Sequence, residues 1–228
     1  MAESSVLAPL RTRGLRDAGR TQAAILAAAT REFARHGMGG ARVDRIAARA
    51  KTNKRMLYYY FGNKDALFRA VLESAYARIR AAETQLSLLD MEPVESVRRL
   101  IEFTWNYYLA HPEFLTLLNS ENLHRARHLK RSRNVRAMNS PVIETLAEVL
   151  ARGARAGHFR TGVDALQLYI SIAALSYFYL GNNHTLSAVF GRDLTDARAR
   201  RERLAHMTDV VLGYLRAKAV DGTKARRR

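Results

Sequence analysis

Residues 43–64, VDRIAARAKTNKRMLYYYFGNK, leave a chain few ways to fold. Val43, Ile46, Ala47 and Ala50 recur at three- and four-residue steps, which puts them on one face of a short helix. Lys51-Thr52-Asn53 breaks the pattern. Asn53 then suits an N-cap, because its side-chain oxygen can accept from an unpaired backbone N–H of a second helix. That helix carries Lys54 and Arg55 in its first turn, then Met56, Leu57 and three consecutive tyrosines. Two short helices joined by a three-residue break form a helix-turn-helix, whose second helix enters the DNA major groove. Such a hairpin needs a third helix to bury a core. The spacing predicts one over 21–36, where Ile25, Ala29 and Phe33 step by four beside Leu26 and Gly37 follows as C-cap.

The residue types suit DNA. Lys54 and Arg55 can reach phosphates or guanine edges, and tyrosine hydroxyls can donate to phosphate oxygens. The string also resembles the TetR family of bacterial transcription regulators. That family's pattern runs roughly T-V-x-x-I-A-x-x-A-G-V-S-x-x-T-L-Y-x-H-F-x-x-K-x-x-L. It is matched by Val43, Ile46, Ala47, Ala50, Leu57, Tyr58, Phe61, Lys64 and Leu67 within residues 20–72. Three positions depart from it. Lys51 replaces a turn glycine, and a left-handed conformation there costs a lysine roughly 1 kcal/mol. Thr52 replaces an apolar residue, and Tyr60 stands where histidine is common.

The resemblance implies an all-α chain: a flexible basic arm over 1–19, a three-helix DNA-binding head over 20–66, a helical effector-binding and dimerisation body over 67–218, and a basic tail over 219–228. It implies a repressor that binds a palindromic operator as a homodimer, with no cofactor and no enzymatic activity. Arg42 would hold a phosphate just ahead of the first hairpin helix, as would Tyr58 and Lys64. Lys54, Arg55 and Tyr60 would face the groove, with Thr52 and Asn53 at the turn completing the DNA-binding set.

Charge points the same way. The formal net charge of +17 calls for a polyanionic partner, nucleic acid or an anionic membrane surface. Residues 1–80 hold 16 Lys/Arg against 6 Asp/Glu, whereas 81–228 hold 22 against 15. In the arm, Arg11, Arg13, Arg16 and Arg20 fit either a solvated tail or a segment lying in the minor groove. Residues 125–136, RARHLKRSRNVR, fit either a solvated connector or a second DNA patch. The chain has no cysteine, which excludes disulfide and thiol chemistry and suits a reducing cytoplasm, with the protein on the nucleoid.

The body reads as further helices: 64–87, 93–111, one after Pro112, one opened by Asn139-Ser140-Pro141, and 165–180 capped by Asp164. The last of these is apolar nearly all round but too short for a bilayer, so it is predicted to be buried on both sides. A final helix over 193–218 places Leu204, Met207, Val211 and Tyr214 at 3-4-3 steps, the seam spacing of a helix that packs on a partner. In the family, two such helices per subunit make a four-helix dimer interface. Trp105, Tyr108, Phe114, Tyr169, Tyr177 and Phe178 are more large aromatics than a bundle core requires. With Asn122 and His124 as polar groups, Trp105, Tyr108, Phe114, Tyr177 and Phe178 would wall a pocket for a small, largely apolar effector. Glu121, His124 and His128 share a helical spacing that could serve a metal, but no HExxH or second ligand cluster supports one. No phosphate-binding glycine loop and no nucleophile elbow occurs, which argues against the alternative of an α-helical enzyme with an aromatic pocket.

Overall fold

Asparagine, aspartate, glycine and proline set the helix boundaries, and the computed structural model follows most of them. It describes residues 8–216, with side chains from Ala18 onward except at 136, 139 and 140. The predicted tail over 219–228 lies outside the described residues, as do residues 1–7 of the arm. Among the described residues there are nine α-helices and no strand beyond a single bridge between Phe159 and Arg216. In order they are α1 (Ala8–Gly40), α2 (Val43–Arg49), α3 (Lys54–Phe61), α4 (Lys64–Thr84), α5 (Pro93–Ala110), α6 (Pro112–Leu123), α7 (Arg133–Arg155), α8 (Ala165–Phe190) and α9 (Ala197–Leu215). Short 3₁₀ turns occupy Leu88–Asp90 and Leu129–Arg131. No described helix is long and apolar enough to cross a membrane.

The chain divides into two compact units, Met1–Arg78 with Pro112–Arg136, and Ile79–His111 with Ala137–Arg228. The first unit packs α2, α3 and α6 on α1. Its core includes Ile25, Phe33, Ile46, Leu57 and Phe68, each fully buried, with the Phe33 and Phe68 rings edge to face at 4.9 Å. Burying each such side chain is worth roughly 2 kcal/mol. α6 belongs here, although the sequence had placed it in the body: Phe114 sits edge-on to Tyr76 at 5.6 Å, and Ser120 Oγ accepts from the Met38 amide at 3.1 Å. The second unit packs α5 against α8 and α9. Leu100, Ile101, Trp105, Val149, Ile172 and Met207 lie in its core.

Several boundaries differ from expectation. The backbone is helical from Ala8, where no period was legible, and Gly37 at φ 63° breaks that long helix at the predicted C-cap. α7 begins at Arg133 and runs through Pro141, so proline does not open it. Proline costs this helix one hydrogen bond to the preceding turn without ending it. α8 extends to Phe190 and is not buried on both sides, since Leu166, Ile170 and Phe178 are exposed. Asp164 and Asp196 cap α8 and α9 by accepting from Gln167 N at 2.9 Å and Ala199 N at 2.6 Å.

In α7, a Cβ on Gly153 would lie 2.0 Å from the ring of buried Phe159. In the last turn of the helix alanine gains at most about 1 kcal/mol of propensity over glycine. The displaced ring outweighs that gain, so Gly153→Ala is predicted to destabilise the protein by a net 1–3 kcal/mol, roughly, in urea unfolding. A variant as stable as the parent would show that the ring moves aside freely.

Candidate nucleic-acid interface

α2 starts from a side chain it does not own. Its N-cap, Arg42, makes no side-chain cap, and the Arg42 amide donates to Glu32 Oε1 on α1 at 3.1 Å. Arg45 Nε donates to the same oxygen at 2.7 Å, and its Nη2 reaches Gly40 O at 3.0 Å. Glu32 is 2% exposed. Burial works to raise its pKa, but the Arg42 amide and Arg45 guanidinium outweigh burial and hold it below the usual carboxylate range.

The turn from α2 to α3 has the six-to-one closure of a Schellman motif. Thr52 N donates to Ala47 O at 3.0 Å and Lys51 N to Ala48 O at 3.1 Å, with Lys51 left-handed at φ 52°. The lysine therefore takes the conformation that its glycine-like position predicted. Asn53 Oδ1 then accepts from Met56 N at 3.0 Å, as its N-cap role required. Beyond α3, Gly62 turns the chain at φ 76° and Asn63 Oδ1 caps α4 by accepting from Ala66 N at 2.8 Å.

With Leu57 fully buried, α3 presents Lys54, Arg55, Tyr58 and Tyr59 to solvent. Lys54 is exposed and pairs with Asp44 in the first turn of α2. Arg42 and Asn53 are exposed, and Thr52, Tyr60 and Lys64 are half-buried. Tyr59, 77% exposed, is the outermost tyrosine, and its ring stands edge-on to Tyr60 at 5.2 Å. Tyr60, expected at the groove, is half-buried, whereas Tyr59 turns furthest outward, two residues on from buried Leu57 being about 200° round the helix.

The predicted effector residues divide between the two units. Trp105 is 2% exposed, packed on Tyr179 at 5.7 Å in the core of the second unit, and Tyr108 is also buried. Phe114 belongs to the first unit, where Asn122 is exposed and His124 Nδ1 bonds Ser120 O at 2.7 Å. Tyr177 is half-buried, and Phe178 is 60% exposed. None of the seven lines the cavity of about 480 Å³ in the second unit, which is walled instead by Arg80, Glu83, Leu88, Met138, Val142 and their neighbours. The proposed seam also turns inward. Met207 and Val211 are buried in their own unit's core, Leu204 packs beside it, and Tyr214 is exposed with Arg160 stacked at 3.6 Å.

The shared helical face of Glu121, His124 and His128 is absent because α6 ends at Leu123 and the chain turns through left-handed Arg125 and Ala126. Glu121 instead accepts from the amides of His128 and Leu129 at 2.8 and 2.9 Å and pairs with His128 Nδ1 at 2.6 Å. His128 Nε2 meets Asp65 Oδ1 at 3.1 Å, and that hydrogen bond leads the effects holding Asp65 below the usual carboxylate range. Among the described residues no group of three His, Cys, Asp or Glu could hold a metal.

Residues 25–71 match the family model described as bacterial regulatory proteins, tetR family, and residues 93–211 match the one described as tetracyclin repressor-like, C-terminal domain. The chain is 41% identical over 199 residues to the HTH-type transcriptional repressor NicS of Pseudomonas putida, covering 87% of this chain and 94% of that protein. It is 44% identical over 110 residues to the HTH-type transcriptional repressor SCO4008 of Streptomyces coelicolor, covering 47% of this chain and 53% of that protein. Among solved structures, SCO4942 of Streptomyces coelicolor, described as a transcriptional regulator, superposes with a TM-score of 0.64 at 26% identity, covering 86% of this chain and 98% of that one. A TetR-like regulator from Rhodococcus sp. RHA1 shares the fold at 22% identity and a TM-score of 0.59, covering 85% of this chain and 96% of that one. The relatives are transcription regulators, not enzymes.

Glu32→Gln keeps the shape but halves the charge-assisted bonding, and is predicted to destabilise the protein by about 1–3 kcal/mol. Because the folded pKa is depressed, the wild-type advantage should be full above the ordinary glutamate range and fade as pH falls through the lowered value. Unfolding of both proteins across acid pH measures this; a gap that is constant with pH would remove Glu32 ionisation from the account.

Proposed function

We propose that this chain, which belongs to the TetR family of bacterial regulatory proteins, is a repressor that binds a palindromic operator as a homodimer and releases it when a small effector binds. The carrying observation is α3: capped by Asn53, anchored by Leu57, and exposing Arg55 and Tyr59 on one face. Arg55 and Tyr59 are four residues apart and enter the major groove together. Lys54 and Tyr58 flank them, and Tyr60 supports Tyr59 from the side. Arg42, Thr52 and Lys64 border the face and hold phosphates. Binding places the protein on the nucleoid, in the cytoplasm.

Dimerisation uses the outward faces of α8 and α9. Leu166, Ile170, Ala174 and Phe178 step by four along α8, and all four are exposed. Val210 and Tyr214 step by four along α9, 44% and 47% exposed. A second copy of the chain covers both stripes. The two heads then read half-sites about 34 Å apart, so a ligand that favours a different head spacing lowers operator affinity.

Lys64→Ala is expected to weaken binding to all sequences alike and to lower the salt slope by about one unit, while Arg55→Ala relaxes preference at one operator position by about 1–3 kcal/mol. Titrations of both variants on operator and scrambled DNA at several salt concentrations test this. Unchanged affinity and specificity in both would move the interface off α3.

Ile170→Glu with Phe178→Glu puts two unpaired charges into the subunit contact without touching the subunit's own core. Sedimentation should show a folded monomer that has lost operator affinity. A double variant that remains dimeric would place the interface elsewhere.

A further inference from the structure

The second unit holds a polar cluster that neither DNA binding nor the dimer face uses. Near the end of α4, Arg80 Nη1 donates to Glu83 Oε2 at 2.5 Å and Nη2 donates to Tyr169 OH, on α8, at 2.6 Å. Tyr169 OH in turn donates to Glu83 Oε1 at 3.2 Å. The side chains of Arg80 and Glu83 are 11% and 3% exposed. Both line the cavity of about 480 Å³, whose remaining wall is largely apolar: Ala81, Leu88, Leu89, Met138, Pro141 and Val142. A cavity of that volume, apolar with a few convergent polar groups, has the make-up of a small-molecule site.

The satisfaction of the cluster selects the ligand. Both Glu83 oxygens and the Tyr169 hydroxyl have partners. Arg80 Nε is buried and has no hydrogen-bond partner among the described residues. The unmet demand is therefore for an acceptor, and the donor is a guanidinium, whose fork matches a carboxylate. We propose that this cavity is the effector site and that it takes a small amphipathic carboxylic acid, the carboxylate on Arg80 and the apolar body against Leu88, Met138 and Val142. The assignment rests on the reading that an effector releases the operator.

Glu83 adds a proton linkage. Burial pushes its carboxyl up to about 7 against the pull of Arg80 and Tyr169. The groups facing it are Arg80 on its own helix and Tyr169 on α8, pushed up to about 12 and so neutral; Asp90 lines the cavity from the 3₁₀ turn, and among its described side chains α7 contributes none that titrates to the lining. Below that midpoint Glu83 is neutral and the Arg80 charge is open to a ligand anion. Above it Glu83 competes for the same guanidinium. Acids should therefore bind more tightly on the acid side.

Thermal-shift and calorimetric titrations of the full chain, without DNA, with benzoate against benzyl alcohol and octanoate against octanol at up to about 10 mM decide this. Each is run one pH unit below and one above the Glu83 midpoint. Acids should bind at least about tenfold more tightly than their alcohols, a gap of about 1.4 kcal/mol, and more tightly at the lower pH. Glu83→Gln should remove the pH effect. Arg80→Met should reduce acids to the level of the alcohols, and Thr145→Trp, which fills the cavity, should remove binding of both.

Alcohols equal to acids in the wild type, or no saturable acid binding, would overturn the assignment whatever the variants do. A promoter fragment from beside the gene, titrated separately, tells the two claims apart. Acids that bind as described while the fragment stays bound leave the site standing and sink the release reading. Release of the fragment by other compounds on protein that binds no acid does the reverse.

Discussion

A carboxylate almost out of reach of water sets the register of the helix-turn-helix. Glu32 sits on α1 and supplies the acceptor that the first turn of α2 lacks, while its second partner, Arg45, comes from within α2. A buried charge is costly unless it is hydrogen-bonded and paired, so this contact has one geometry and tolerates little drift. From there the constraint passes along the chain. The Schellman closure at Thr52 fixes where α2 ends, Asn53 fixes where α3 begins, and buried Leu57 decides which way α3 is turned. The outward placement of Arg55 and Tyr59 is the last consequence of a bond formed more than twenty residues earlier.

Each unit also buries a polar cluster built around a glutamate. In the first, Glu121 gathers two amides and an imidazole from the segment after α6, and that imidazole reaches Asp65 in the opening turn of α4. The basic segment 125–136 is thereby tied down in part by Arg127 on Asp65. In the second, Arg80, Glu83 and Tyr169 join the end of α4 to α8. The first cluster is closed: both Glu121 oxygens and both ring nitrogens of His128 have partners. The second is left one acceptor short, and it lies on a cavity.

α8 shows how one composition serves two surfaces. Leu168, Ile172 and Tyr179 join the core of the second unit, while Leu166, Ile170 and Phe178 look outward. A helix apolar all round has no preferred inner face of its own, and its neighbours choose it. α9 makes the complementary choice, sending Met207 and Val211 inward and leaving Val210 and Tyr214 outside.

The sequence by itself determined what depends on near neighbours. The all-α class, the Asn53 and Asp164 caps, the break at Gly37 and the left-handed Lys51 were legible or directly implied, because each is settled within about five residues. The start of α1 and the passage of α7 through Pro141 were not, since local signals there are weak and the backbone followed the longer helix. What only the tertiary structure decided are choices between equivalent faces and partners distant in sequence. A 3-4-3 stripe on α9 says that a face is buried, not whether the subunit or a second copy buries it. Aromatics counted along the chain say nothing of which unit receives each, and Trp105 and Phe114 belong to different units. Glu32, Glu83 and Arg80 look like ordinary surface charges in a helical pattern. Only packing, by removing water and bringing Arg42, Arg45 and Tyr169 to them, turned them into the groups that organise the two units.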